Sequence, residues 1–228
     1  MGWVFFVDPS YTSAIDPATG YRQHVRLGDE IKVANFAQFV QDAFDDISYD
    51  GKRLTFRFNW RTLATAQNKL KKPDARTQKV SEVQDKLWTI HANVPRTVYY
   101  RDKDNQSQNK VVNIQEKLLE LLHSKNIPLQ GDILQNIAQA KLDAPFVKEF
   151  VWCFNQLNRL RNTIDEQDTI ISPAICKAYP HGFDSRKDTV QGYAWNGDAN
   201  GAYHIGRKGT ILLKKLHQAE TIKDFKAV

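Results

Sequence analysis

The chain has 228 residues, of which 41% are hydrophobic and 25% charged, and its formal net charge at pH 7 is +6. This length is enough for one large or two small cores, and the composition excludes fibrous, disordered and disulfide-rich classes. The mild basic excess is compatible with nucleic-acid binding but does not select it. The two cysteines, Cys153 and Cys176, match no zinc spacing, so we expect buried free thiols and a reducing compartment.

The N-terminal third predicts two strands and a helix. A continuous apolar run at residues 3–7 predicts a strand covered on both faces; it is too short for a signal peptide or a membrane span. A helix is predicted from about Asn35, where aromatic and aliphatic residues recur at helical spacing. The clearest strand is residues 53–60, in which apolar and polar residues alternate. Its apolar face consists of Leu54, Phe56, Phe58 and Trp60.

The central part predicts a polar segment between short strands. Residues 64–86 are Lys-rich and predict a surface loop or a short exposed helix, and residues 87–90 and 97–100 predict two further strands. Residues 101–110 predict a charged loop.

Helices then follow. Asn113 and Asp132 predict two helix starts, and Pro145 fits the first turn of a longer helix over residues 145–161. A strand is predicted over residues 168–175.

The last predicted helix runs from about Asn200 to Leu216. Two glycines in its apolar stripe cost about 1 kcal/mol each in helix propensity, which indicates close packing against another backbone. Asp198 lies four residues before Ala202, so we expect its carboxylate to point toward the same buried side, where it could serve a metal-dependent nuclease. The alternative is an N-cap, since Asp before a helix satisfies free N–H groups. The stripe comprises Ala202, Ile205, Gly206, Gly209, Leu212, Leu213 and Leu216.

Five short segments stand in a recognisable order: residues 11–21, Leu160-Arg161-Asn162, residues 170–173, residues 183–186, and Asp198-Ala-Asn-Gly-Ala-Tyr-His-Ile205. The last resembles the third RuvC motif of type V-A CRISPR RNA-guided DNA endonucleases. The first resembles the turn from the RuvC sheet to the Nuc domain of that family, the second its Nuc arginine motif, and the others the segments before the last RuvC motif. The match spans nearly the whole chain, but only the C-terminal part of family proteins several times longer.

The resemblance implies a mixed fold, α/β to α+β, with RNase H-like RuvC elements at both ends and a mixed Nuc insertion. Residues 1–14 would form a RuvC strand segment, residues 15–195 the Nuc domain, and residues 196–228 the third RuvC motif and C-terminal helix.

The resemblance also implies Mg²⁺-dependent hydrolysis of DNA. Asp198 would be a ligand in a two-metal site, and the Asp and Glu that complete this site would lie in upstream chain, so this polypeptide alone is expected to be inactive. The family often has a second acid at the position of Asn196, so one negative charge is missing here. DNA would be the substrate, guide RNA would bind through the missing N-terminal portion, and the setting would be prokaryotic cytoplasm without a membrane partner.

Arg161 is the second candidate catalytic residue. It lies four residues after Leu157, so it would extend the buried stripe of the predicted helix. A guanidinium suits bidentate contact with a phosphate, and the resemblance implies that Arg161 faces the RuvC cleft and helps to position the scissile phosphate. The alternative is a cation favoured by the dipole of the last helical turn.

Further polar residues are weaker candidates for supporting or DNA-contacting roles. Asp168 opens a predicted strand and could equally form a turn. Asp184 and Arg186 could contact DNA or form an ion pair that fixes a loop. Arg53 and Arg57 are predicted on the wet face of a strand, with Arg61, where they could bind phosphate or simply be solvated.

Two other functions stay open at this point. One is a non-catalytic nucleic-acid-binding remnant of such a nuclease. The other is a transposon-encoded RuvC-like nuclease, for which a Cys-x-x-Cys zinc ribbon before the last Asp would be expected; the sequence has none.

Overall fold

A computed structural model describes residues 14–101, 103–164, 167–188 and 196–218. The predicted strand at residues 3–7 lies outside these ranges. Within them the fold is mixed α+β, as predicted, with small antiparallel sheets and six α-helices. The helices are α1 Val33–Ala43, α2 Trp60–Lys69, α3 Ile114–Ser124, α4 Ile133–Gln139, α5 Ala144–Leu157 and α6 Gly197–Gln218. The strands are β1 Asp46–Tyr49, β2 Leu54–Asn59, β3 Leu87–His91, β4 Pro95–Arg101, β5 Ser107–Asn113, β6 Arg161–Ile164, β7 Gln167–Ser172 and β8 Phe183–Asp184.

Three antiparallel sheets are present in the described residues: β1-β2-β3, β4-β5 and β6-β7-β8. The first and third are joined by a bridge between Ile90 and Ala174. On either side of it, the His91 amide donates to the Pro173 carbonyl and the Ile175 amide to the Thr89 carbonyl. The short third sheet is therefore supported by the larger first one.

Side-chain caps fix several helix starts. The Asn113 side chain accepts hydrogen bonds from the second and third amides of α3, and Asp132 and Asp143 cap α4 and α5. These caps satisfy amides that have no partner inside the helix. The starts predicted at Asn113 and Asp132, and the position of Pro145 in the first turn of α5, are confirmed.

An aromatic cluster forms the centre of the core. The rings of Phe44 and Phe154 lie 5.1 Å apart and those of Phe36 and Phe150 5.2 Å apart, both edge to face. Such pairs add about 0.5–1.5 kcal/mol each beyond the area they bury. Phe56 and Phe58 of β2 point into this cluster, so the prediction that they are core residues, not a platform for stacking bases, is confirmed.

Three predicted boundaries are wrong. The segment predicted as a loop or short exposed helix, residues 64–86, begins inside α2, and its Ala64 and Ala66 are buried. The predicted loop at residues 101–110 contains the start of β5, because polar residues pair along β4 without being buried. Helix α5 ends at Leu157, so Arg161 is the first residue of a strand and not part of a helical stripe.

A buried guanidinium connects α5 to two strands. Arg96 on β4 is fully buried, and its Nε donates to the Gln156 carbonyl at 2.9 Å. Its Nη2 donates to the carbonyls of Leu157 and Ile171, at 2.9 and 3.0 Å. Burial lowers the pKa of Arg96 to about 9, and the nearby charge of Arg159 acts in the same direction. The group still carries its charge at neutral pH.

Helix α6 buries a different face from the predicted one. Its buried residues are Gly197, Asn200, Gly201 and His204, all in its first turns. In the predicted stripe, Ala202, Gly206 and Leu213 are exposed. A hydrogen bond explains this orientation. Asn200 donates to the Ile15 carbonyl at 2.6 Å, so the face of α6 that carries Asn200 points inward in place of the predicted apolar stripe. No helix of the described ranges combines the length and apolarity that crossing a bilayer requires.

Candidate active site

Three of the predicted residues meet where β6, β7 and α6 converge. Arg161 begins β6, and Asp168 lies on β7, which pairs with β6 in antiparallel register. The Arg161 Nη2 donates to Asp168 Oδ2 and lies 3.8 Å from Asp198 Oδ1 in the first turn of α6. One guanidinium is therefore shared by two carboxylates from different elements.

Asp198 does not point to the buried side of α6. Its side chain is 94% exposed, whereas the prediction placed it toward the packed face. The capping contacts belong to Asn196, whose Oδ1 accepts from the Ala199 amide at 2.8 Å and whose carbonyl accepts from the Asn200 amide at 2.9 Å. Since Asn196 caps the helix, the Asp198 carboxylate is left open to solvent beside Arg161.

The start of α6 packs directly on the Arg161–Asp168 pair. A Cβ placed on Gly197 would lie 2.8 Å from Arg161 Nε and would meet the Asp168 carboxylate. The side chain of Asp168 is 19% exposed, and its Oδ1 is buried without a hydrogen bond among the described residues. The helix N-terminus favours negative charge at this point.

A second contact attaches α6 to the segment before α1. The Asn200 side chain, fully buried, donates to the Ile15 carbonyl, and the His204 ring also interacts with this carbonyl. Burial lowers the pKa of His204 to about 4, with Arg207 and Lys208 acting in the same direction. His204 is therefore neutral at physiological pH, as its place in a buried contact requires.

The described residues offer a divalent cation at this junction only part of a ligand set. The exposed carboxylate of Asp198 is the hard oxygen donor that Mg²⁺ prefers, so it fits this ion. No group of three or more His, Cys, Asp or Glu side chains suited to a metal occurs within the described ranges. Asp198 would therefore give such an ion one ligand from the described residues, not a complete set.

Asp184 and Arg186 form an ion pair of their own. Arg186 donates to both carboxylate oxygens of Asp184, at 2.8 and 2.6 Å, and the Arg186 amide adds a third bond. Burial alone would raise the pKa of the Asp184 carboxyl, but these bonds lower it overall. This pair closes the turn after β8. Of the two predicted roles, a DNA contact or an ion pair that fixes a loop, the structure shows the ion pair.

Arg53 and Arg57 do not share a strand face with Arg61. Arg53 precedes β2, where it pairs with Asp50 at 3.3 Å, and Arg61 belongs to α2 and pairs with Asp85 at 2.7 Å. Only Arg57 lies on the exposed face of β2. The prediction of a three-arginine strip is wrong, because the strand begins at Leu54 and ends at Asn59.

Two side chains next to Arg161 were not predicted as functional. Asn162 and Arg159 both hydrogen-bond to the backbone of Thr97 on β4, at 2.8 and 2.9 Å. Asn162 belongs to the arginine motif Leu160-Arg161-Asn162, and this membership was the signal in the sequence that could have identified it. Backbone contacts across sheets leave no periodic pattern, which is why they were missed.

A family model for a nuclease domain, NUC, matches residues 15–187 of the chain. The match includes Arg161, Asp168, Asp184 and Arg186, and ends before Asp198. It covers well over half of the sequence. The chain belongs to this family of nuclease domains.

Proposed function

We propose that the chain is the C-terminal nuclease portion of an RNA-guided type V-A CRISPR effector that cleaves target DNA with Mg²⁺. Membership in the nuclease domain family supports the reaction class. The five sequence motifs, which stand in the order found in type V-A CRISPR effectors, support the assignment to that class of nuclease. The observation that carries the proposal is the 3.8 Å approach of Arg161 to Asp198, which joins the arginine motif to the last RuvC-like motif.

In this proposal the ends of the chain and its middle belong to different domains. Residues 15–195 are the Nuc domain, and residues 1–14 and 196–228 are RuvC segments. The hydrogen bond from Asn200 to Ile15 supports this division, because it brings the two proposed junctions together.

Each residue of the cluster has a chemical role. Asp198 holds the cation through its exposed carboxylate, and the bound magnesium would polarise the phosphodiester and its attacking water. Arg161 binds the scissile phosphate, for which a planar guanidinium offers two parallel N–H donors. Its side chain is 42% exposed, so a phosphate can approach it. Asp168 orients Arg161 through Nη2.

Binding partners follow from the same assignment. DNA is the substrate, and guide RNA binds through chain upstream of these residues. In this proposal, the carboxylates that complete the metal site come from that upstream chain as well.

The test is DNA cleavage by the protein that carries this chain together with the upstream RuvC segments, guide RNA and Mg²⁺. Asp198→Asn keeps the shape of the side chain and removes its charge, so we expect a loss of at least about 100-fold in cleavage rate. Glu120→Gln, at an exposed carboxylate of α3, is the matched control and should cleave normally.

Two results would reject the proposal. Normal cleavage by Asp198→Asn would show that this carboxylate is not a metal ligand. Salt-dependent DNA binding without any cleavage by the wild type, with all components present, would favour a nucleic-acid-binding remnant.

A further inference from the structure

The side chains of Asn162 and Arg159 attach the segment around Arg161 to Thr97 of β4. Asn162 is fully buried, and its Oδ1 accepts a hydrogen bond from the Thr97 amide of β4 at 2.8 Å. Arg159 lies on the other side of Arg161 in sequence, and its Nη2 donates to the Thr97 carbonyl at 2.9 Å. The N–H and the C=O of Thr97 are therefore both bound by side chains, those of Asn162 and Arg159, the two residues that flank Leu160 and Arg161.

The geometry of β4 explains why Thr97 is available. Thr97 pairs with Val111 in the antiparallel β4-β5 ladder. In such a ladder, alternate residues direct their N–H and C=O away from the partner strand. The outward groups of Thr97 meet side chains of the Arg161 segment instead of a third strand.

The opposite edge of the same segment is fixed too. The Asn162 carbonyl accepts from Thr169 Oγ1 at 2.7 Å, and Thr169 is its register partner on β7. The Leu160 carbonyl accepts from the Ile171 amide at 2.9 Å. Arg161 thus lies on a short strand that is bound on both sides, with its side chain directed at Asp168.

Packing alone does not account for Asn162. Its Nδ2 is buried without a hydrogen bond among the described residues. A buried amide that is only half satisfied costs stability compared with an apolar side chain of similar size. What the amide provides is a directional bond that sets the register of β6 against β4.

We propose that Asn162, together with Arg159, is a positioning residue for Arg161. The two side chains clamp Thr97 and thereby fix where the Arg161 guanidinium stands relative to Asp198. This inference rests on the proposed function, because the position of Arg161 matters for cleavage only if Arg161 binds the scissile phosphate. A misplacement of about 1 Å in a catalytic group can cost about 100-fold in rate.

The test uses Asn162→Ala in the cleaving protein described above. We expect single-turnover cleavage to fall by about 10- to 100-fold with unchanged affinity for DNA. Asn155→Ala is the matched control, because Asn155 likewise binds the backbone of a distant residue, accepting from the Leu27 amide and donating to the Leu27 carbonyl at 2.9 Å each. The control should cleave at the wild-type rate.

A double variant separates positioning from general damage. If Asn162 acts through Arg161, Arg161→Ala/Asn162→Ala should cleave no more slowly than Arg161→Ala. Independent losses that multiply would overturn the proposal. Arg159→Met, at a partly exposed position, gives a second route: it should lower cleavage in the same non-additive way even if Asn162→Ala folds poorly.

A readout without catalysis makes the two proposals separable. Hydrogen exchange of the Thr97 amide should be faster in Asn162→Ala than in the wild type, and unchanged in Asn155→Ala. An unchanged Thr97 amide in Asn162→Ala would refute the clamp. Wild-type cleavage by Arg161→Ala would instead refute the proposed function while leaving the exchange result intact.

Discussion

Arg161 Nη2 lies 3.8 Å from Asp198 Oδ1, although one residue begins a strand and the other stands in the first turn of a helix far along the chain. Because Asp198 is almost fully exposed, this attraction is screened by water and adds little to folding stability. The short distance between the two groups therefore matters for the proposed reaction and not for stability. A cation bound by Asp198 and a phosphate bound by Arg161 would be immediate neighbours.

Arg161→Lys should lose most of the cleavage activity in spite of keeping the charge. An ammonium cannot hold Asp168 and form two parallel bonds to a phosphate, so we expect a loss of about 100-fold or more. Single-turnover cleavage with saturating guide RNA measures it. Arg76→Lys, in an exposed loop, serves as the control and should cleave normally. Full activity of Arg161→Lys would contradict the proposed bidentate role of the guanidinium.

Arg96→Met should destabilise the fold. The substitution removes one donor from each of three carbonyls, and those of Leu157 and Ile171 lose a buried guanidinium donor while that of Gln156 keeps the Arg159 amide. Each unsatisfied buried acceptor costs about 1–3 kcal/mol, so the free energy of unfolding should fall by about 3 kcal/mol or more. Urea denaturation measures this difference. Arg76→Met, in an exposed loop, should change stability by less than about 0.5 kcal/mol; equal stability of both variants would contradict the role of Arg96.

Acidification should loosen the contact between α6 and Ile15. The pKa of His204 is about 4 in the folded chain because of burial, and about 6.5 when unfolded. The unfolded state therefore binds the proton first, so this contribution to stability is complete above about pH 6.5 and is lost as pH falls toward 4.

Thermal melts at pH 7.5 and pH 5 measure the effect. His204→Gln should show a smaller loss on acidification than the wild type. Some loss should persist in this variant, because burial also lowers the pKa of His24 to about 4. Equal losses in both proteins would show that His204 is not responsible.

The two thiols should differ in reactivity. Cys153 is fully buried, and burial raises the pKa of its thiol to about 12, whereas Cys176 is partly exposed. A thiol reagent at pH 8 should label Cys176 rapidly and Cys153 only after unfolding. The Cys176→Ser variant should lack the rapid phase, and two rapid equivalents in the wild type would contradict the assignment. The expectation that both thiols are buried holds for Cys153 alone.

Local signals predicted much of the fold. The alternation in β2 and the caps Asn113 and Asp132 depend on residues close in sequence, and these elements are where they were expected. The burial of α2 was missed because part of its buried face is Ala and Gln, which carry little hydrophobic contrast. A helical period also extended α5 to Arg161, since periodicity continues across a break that lies at Asn158.

Arg161 and Asp198 were identified from motifs and Asp168 from the start of a predicted strand, and no prediction placed the three together. Arg161, Asp168 and Asp198 were named, but their proximity arises from strand pairing and helix docking between distant segments. The direction of Asp198 was wrong because Asn200 takes the inward position through a bond to Ile15. Long-range hydrogen bonds of this kind leave no trace in a local pattern.

The bond between Asn200 and Ile15 has a topological consequence. It brings together two points of the chain that enclose the whole region matched by the family model. A region whose entrance and exit touch can be inserted into a host sheet, or exchanged for a related one, without stretching the host. If the proposed function holds, the residues of the catalytic cluster and the rest of the Nuc domain can therefore change independently, provided that the hydrogen bond between Asn200 and Ile15 is kept.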